Sequence, residues 1–90
     1  MKRVHLIITG DVQGVGYRAW ARREAEKLGL TGWVKNRSDG TVEAVAEGKK
    51  EILEQFIIRS KQGPEVSWVE TITQEWNEAT GEFNNFRVVY

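Results

Sequence analysis

Three glycines and one arginine carry the first chemistry this sequence can offer. Gly10, Gly14 and Gly16 fall within the stretch Gly10-Asp11-Val12-Gln13-Gly14-Val15-Gly16-Tyr17-Arg18. Glycine there opens backbone conformations closed to residues with a Cβ, so successive N–H groups can converge. A helix beginning near Tyr17 adds its own unpaired N–H groups and the positive end of its dipole. Such a concavity suits an anion, phosphate foremost. Arg18 falls in the first turn, where a guanidinium can grip phosphate oxygens with two parallel hydrogen bonds. The stretch predicts an anion cradle with a cation at its rim. The plainer alternative is a tight strand-to-helix turn whose glycines only permit packing, with Arg18 solvated.

Two nucleotide motifs are excluded by context. Gly14, Gly16 and Ala19 fit G-x-G-x-x-A, and Asp39 lies about 20 residues on, as a dinucleotide fingerprint asks. That motif needs a parallel βαβ unit, whereas the second strand here runs straight into a hairpin turn. A phosphate loop of the Walker type fails as well, because no Lys-Ser or Lys-Thr pair closes the glycines.

The cradle must be held by a small frame. Ninety residues allow one domain with a single two-layer core. With no cysteine and one histidine, His5, neither a disulfide framework nor a thiolate metal site is expected. Lys plus Arg and Asp plus Glu balance at 13 each, which argues against broad electrostatic binding to nucleic acid or anionic lipid. The apolar run after Lys2 and Arg3 is too short for a signal peptide or a membrane span. A soluble cytoplasmic protein is expected.

Periodicity supplies the elements. Val4 to Ile8 alternates as a strand, with His5 a structural strand residue. The helix after the cradle sets Tyr17, Ala21, Ala25 and Leu28 on one stripe, with Trp20 beside it. Gly29 ends that helix, and Leu30 folds back onto its last turn. Thr31 to Arg37 is a second strand, turning at Ser38-Asp39-Gly40 into a third, Thr41 to Glu47, which Gly48 breaks. Lys49 to Gln62 carries Ile52, Leu53, Phe56, Ile57 and Ser60 on a helical stripe, closed by Gly63 and Pro64. Val66 to Trp76 reads as a fourth strand. Val69 is out of phase with Ile72, Gln74 and Trp76, which predicts a bulge or break near Glu70. A polar loop, Asn77 to Glu82, leads to a last strand in which Phe86, Val88 and Tyr90 alternate.

The order β-α-β-β-α-β plus a terminal strand predicts an α+β, ferredoxin-like split βαβ domain spanning 1–90. Its sheet is mainly antiparallel, with two helices on one face. In the second strand Asn36 shares a face with Gly32 and Val34, a polar exception among core positions. A buried amide needs partners, and capping the adjacent Ser38-Asp39-Gly40 turn is the plain role open to it.

Two stretches are similar to the signatures of a known family. The cradle stretch resembles the first signature of the acylphosphatases. Gly32-Trp33-Val34-Lys35-Asn36-Arg37-Ser38-Asp39-Gly40-Thr41-Val42-Glu43 resembles the second. The match extends over essentially the whole chain. The resemblance implies hydrolysis of the carboxyl-phosphate anhydride of acyl phosphates, with inorganic phosphate as a product. It implies Arg18 as the catalytic arginine and Asn36 as the residue that positions water. It also implies phosphate in the cradle of Val12, Gln13, Gly14, Val15, Gly16, Tyr17 and Arg18, with no metal and no cofactor. No nucleic-acid or membrane partner is expected, and the chain is expected to act as a monomer.

The chemistry agrees independently. Phosphoryl transfer can pass through a loose transition state, so catalysis is mainly positioning and charge stabilisation. A carboxylate leaving group, with a conjugate-acid pKa of roughly 4, departs without a general acid. No side chain is an obvious general base, and Asp39 and Glu43 read as turn and surface residues. Two rivals stand beside this reading. An RNA-recognition module of the same fold needs strand aromatics for base stacking, and Thr41 to Glu47 has none. The other is an acyl-phosphate or carbamoyl-phosphate domain working within a larger assembly.

Overall fold

A computed structural model describes all 90 residues. The elements run β1 (Lys2–Asp11), α1 (Tyr17–Lys27), β2 (Thr31–Asn36), β3 (Val42–Gly48), α2 (Lys50–Gln62), β4 (Trp68–Glu78) and β5 (Phe86–Val89). The strands form one sheet in the order β4-β1-β3-β2-β5. All neighbours are antiparallel except β2 and β5. This is the expected split βαβ arrangement. Since β3 lies between β1 and β2, the two strands joined by α1 are not partners.

Alternation in the strands decides which residues meet the helices. Val4, Leu6 and Ile8 of β1, Val42, Ala44 and Ala46 of β3, Val34 of β2 and Phe86 of β5 join Tyr17, Ala21 and Ala25 of α1 and Leu53, Phe56 and Ile57 of α2 in one buried cluster. Phe56 meets Phe86 edge-on, with centroids 5.8 Å apart, a favoured aromatic geometry. Truncating a large member such as Leu6 or Phe56 to alanine costs about 2–5 kcal/mol. Neither helix is long and apolar enough to cross a membrane.

The opposite face of the sheet bears polar pairs. His5 Nε2 lies 2.6 Å from the Glu43 carboxylate. Glu47 is only 5% exposed, and accepts from Arg3 Nε at 2.7 Å and from the N–H groups of Thr80 and Gly81 at 2.9 and 3.0 Å. Burial alone would raise this carboxyl. The hydrogen bonds from Thr80, Arg3 and Gly81 outweigh it and hold the pKa down to about 2.

Several boundaries differ from those expected. β1 begins at Lys2 and runs to Asp11, because β4 continues to pair with it as far as Trp68. β4 likewise runs on to Glu78, absorbing the start of the expected polar loop. Gly48 does not break β3 but pairs with Lys2; a Cβ there would lie 2.4 Å from the Leu30 side chain. The irregularity near Glu70 is a bulge: Thr9 opposes Thr71 and Gly10 opposes Val69, leaving Glu70 without a partner. At Gly10, a Cβ would lie 2.2 Å from the Trp68 carbonyl oxygen, so the bulge requires glycine.

Candidate active site

The cradle starts where β1 ends. Val12, buried, anchors the chain as it leaves the sheet. Gly14 and Gly16 then take φ of 76° and 77°, a left-handed backbone natural only to glycine. A Cβ at either would meet nothing within 4 Å, so conformation and not crowding demands the glycines. Gly16 is the N-cap of α1; no side chain caps the helix, and no acidic residue lies in its first turn. The first amides of α1 and the dipole end are thus left to serve another acceptor.

Two side chains lock this loop to the rest of the molecule. Tyr17 is buried, and its hydroxyl donates a 2.6 Å bond to the Ser60 carbonyl of α2. Burial pushes its phenol far above the usual range, so it stays a neutral donor. Gln13 Nε2 donates to the carbonyls of Arg37 and Thr41, both at 2.8 Å. The loop is thereby tied to the β2–β3 hairpin, which carries Asn36.

Arg18, Asn36, Val12, Gly14 and Gly16 line one small cavity of about 130 Å³, closed on another side by Val88 of β5 and by Tyr90. The Arg18 guanidinium lies 4.7 Å from the centroid of the Tyr90 ring, a cation–π distance. None of the molecule's ion pairs involves it. Asn36 Oδ1 is buried with no hydrogen-bond partner. The hairpin turn does not use it. Asp39 accepts from the Thr41 N–H at 3.0 Å and the Thr41 hydroxyl at 2.6 Å, Gln13 holds the turn's carbonyls, and the cap open to Asn36 on sequence grounds is not made. A buried acceptor left unpaired in a polar cavity is disfavoured unless something else binds it.

Of the expected cradle residues, Gln13 and Val15 do not line the cavity. Gln13 is turned to the hairpin, and Val15 packs against the core cluster. Conversely, Ala19, Val88 and Tyr90 line it without having been singled out. Alternation placed Val88 and Tyr90 on one face of the last strand. Their nearness to Arg18 depends on β5 pairing in parallel with β2, which no local pattern announces. A larger groove of about 550 Å³ between α2 and β4, lined by Lys2, Lys50, Ile58 and Trp76 among others, has no comparable loop of glycine amides.

Comparison with known proteins gives a consistent answer. The profile of the acylphosphatase family matches residues 4–88. An acylphosphatase of Pelotomaculum thermopropionicum is 43% identical over 88 residues, covering 98% of this chain and 96% of that protein. One of Thermococcus kodakarensis is 50% identical over 91 residues, covering 99% of each. The crystal structure of acylphosphatase from Bacillus subtilis superposes with a TM-score of 0.97 at 40% identity, over all of both chains. Full-length HypF, in a phosphate- and nucleotide-bound form, matches all of this chain over 12% of its own length, with a TM-score of 0.87 and 32% identity.

Proposed function

The chain belongs to the acylphosphatase family and hydrolyses acyl phosphates to a carboxylate and inorganic phosphate, and we propose that Arg18 and the backbone cradle bind the phosphoryl group while Asn36 positions the attacking water. One observation carries this division of labour: an arginine outside every ion pair, a loop of left-handed glycines and a buried, unpartnered amide oxygen share one cavity. The amides of the cradle and the first turn of α1 supply fixed positive potential where the phosphoryl oxygens carry charge. Arg18 adds a planar, two-pronged donor.

The water accepted by Asn36 Oδ1 attacks phosphorus. The bond from phosphorus to the acyl oxygen breaks, and its electron pair leaves on the carboxylate. The proton of the attacking water passes to a phosphate oxygen, giving dihydrogen or monohydrogen phosphate according to pH. A carboxylate of this acidity leaves without protonation. The proposal includes a metal-independent and cofactor-free reaction, in keeping with a cavity wall of amides, arginine and asparagine without a carboxylate. It also takes the chain as one catalytic domain and a cytoplasmic monomer.

The test is phosphate release from benzoyl phosphate by the purified chain, with excess chelator present and with Arg18→Lys and Asn36→Ala beside it. Activity that chelation abolishes, or that both variants retain, rejects the proposal.

A further inference from the structure

We propose that Tyr90 is a positioning residue of the phosphoryl site, its ring holding the Arg18 guanidinium by the face so that the N–H edge stays free for substrate. The inference rests on the phosphoryl role of Arg18 proposed above. Arg18 follows the cradle in the first turn of α1, whereas Tyr90 comes directly after β5. The sheet brings them together. β2 and β5 run in parallel with Lys35 opposite Val89, so the residues that follow, Asn36 and Tyr90, come side by side. Arg18, Asn36 and Tyr90 thereby line one cavity, and the guanidinium carbon of Arg18 lies 4.7 Å from the Tyr90 ring centroid.

Two further cation–π contacts in the chain differ from this one. Arg3 lies 5.1 Å from the Phe83 centroid and Lys35 lies 5.4 Å from that of Trp33. Arg3 is also paired with Glu47 and Glu82, and Lys35 with Glu43. Arg18 has no carboxylate partner. A carboxylate would occupy in-plane N–H groups of the guanidinium and offset its charge. An aromatic face attracts the cation from above the plane and leaves its N–H donors available. The contact also restricts a long, flexible side chain before substrate arrives, which lowers the entropy lost on binding. Tyr90 does little for the fold, being 97% exposed and outside the core cluster.

The test measures competitive inhibition by inorganic phosphate and steady-state hydrolysis of benzoyl phosphate for Tyr90→Leu and Tyr90→Phe. Tyr90→Leu keeps an apolar side chain but removes the π face. It should raise the phosphate Ki and the KM together, by about two- to fivefold, the scale of one exposed cation–π contact. Because Arg18 grips the phosphoryl group before and during reaction, kcat should change little. Tyr90→Phe should recover most of what Tyr90→Leu loses, since its ring offers a comparable face. Both variants should keep the thermal midpoint of the unaltered chain, as befits an exposed side chain. Equal losses in the two variants assign the effect to the hydroxyl and overturn the proposal. So does a Tyr90→Leu protein with unaltered Ki and KM, or one that loses kcat alone. Phosphate inhibition indifferent to Arg18→Lys undoes the phosphoryl site itself, and the role of Tyr90 with it.

Discussion

The Tyr17 hydroxyl donates a 2.6 Å hydrogen bond to the Ser60 carbonyl, so the first residue of α1 is fixed to the last turns of α2. Arg18 follows directly in the chain. The position of the proposed catalytic cation thus depends on contact between the two helices, and the cradle is not a free loop.

Tyr17→Phe tests that dependence. The change keeps the ring in the core but leaves a buried carbonyl unpaired, which costs about 1–3 kcal/mol. Thermal unfolding should shift down by several degrees. Because the start of α1 loosens, phosphate affinity should fall with it. An unchanged midpoint together with unchanged affinity refutes the anchoring role.

Gln13→Leu removes both bonds to the hairpin carbonyls while preserving bulk. Asn36 would then be less firmly held relative to Arg18, and misplacement of a positioning group by about 1 Å costs on the order of a hundredfold in rate. We expect kcat to fall well before phosphate binding does. Equal losses in both would mean that Gln13 acts on the cradle itself.

Arg18 and Asn36 should separate cleanly. Arg18→Lys keeps the charge but loses the fork, so phosphate inhibition and turnover should both weaken, by about tenfold or more. Asn36→Ala should lower kcat by about a hundredfold with phosphate inhibition intact. Its thermal midpoint should hold or rise, because Oδ1 has no partner to lose. A drop in stability with normal turnover is what a turn cap would give.

Ligand-linked stability probes the cradle without turnover. Inorganic phosphate and sulfate should inhibit competitively and raise the unfolding midpoint, since a ligand specific for the native state stabilises it. Arg18→Lys should diminish both effects together. Purely non-competitive inhibition moves the anion site away from Gly14 to Arg18.

Acid should weaken the fold through Glu47. Its folded pKa, about 2, is depressed from the ordinary 4.5. The stabilisation is therefore complete above about pH 4.5, and is lost as pH falls towards 2. The shift corresponds to at most about 3 kcal/mol. Glu47→Gln should flatten the stability profile between those limits, and urea midpoints measured across that window read the difference directly.

Much of this molecule was legible in sequence because the signals were local. Gly29 terminates α1 as expected, with the Leu30 N–H bonded to the Ala25 carbonyl and the Gly29 N–H to that of Glu26, the paired pattern of a glycine-ended helix. The phase slip at Val69 disclosed the bulge at Glu70. Glycine spacing pointed to the turn that Gly14 and Gly16 make. Strand ends were less legible, since pairing with β4 extends β1 on sheet contacts that a single strand's pattern does not contain. Gly48 misled for a related reason: its lack of a Cβ accommodates Leu30, a residue from another element. Tyr90 over Arg18 and the bonds of Gln13 join segments distant in sequence, and no periodicity encodes such meetings.

The placement of β3 between β1 and β2 also governs when activity can arise. Lys2 pairs with both Gly48 and Glu78, so β1 must close loops of tens of residues before its contacts repay the lost entropy. Val42 pairs with both Ile8 of β1 and Asn36 of β2, so β3 sets the cradle and Asn36 at one end of the sheet. A chain in which β3 has not joined both neighbours therefore lacks the assembled cavity. On the ribosome the same logic delays competence until Tyr90 has emerged, because Val88 and Tyr90 complete the cavity wall.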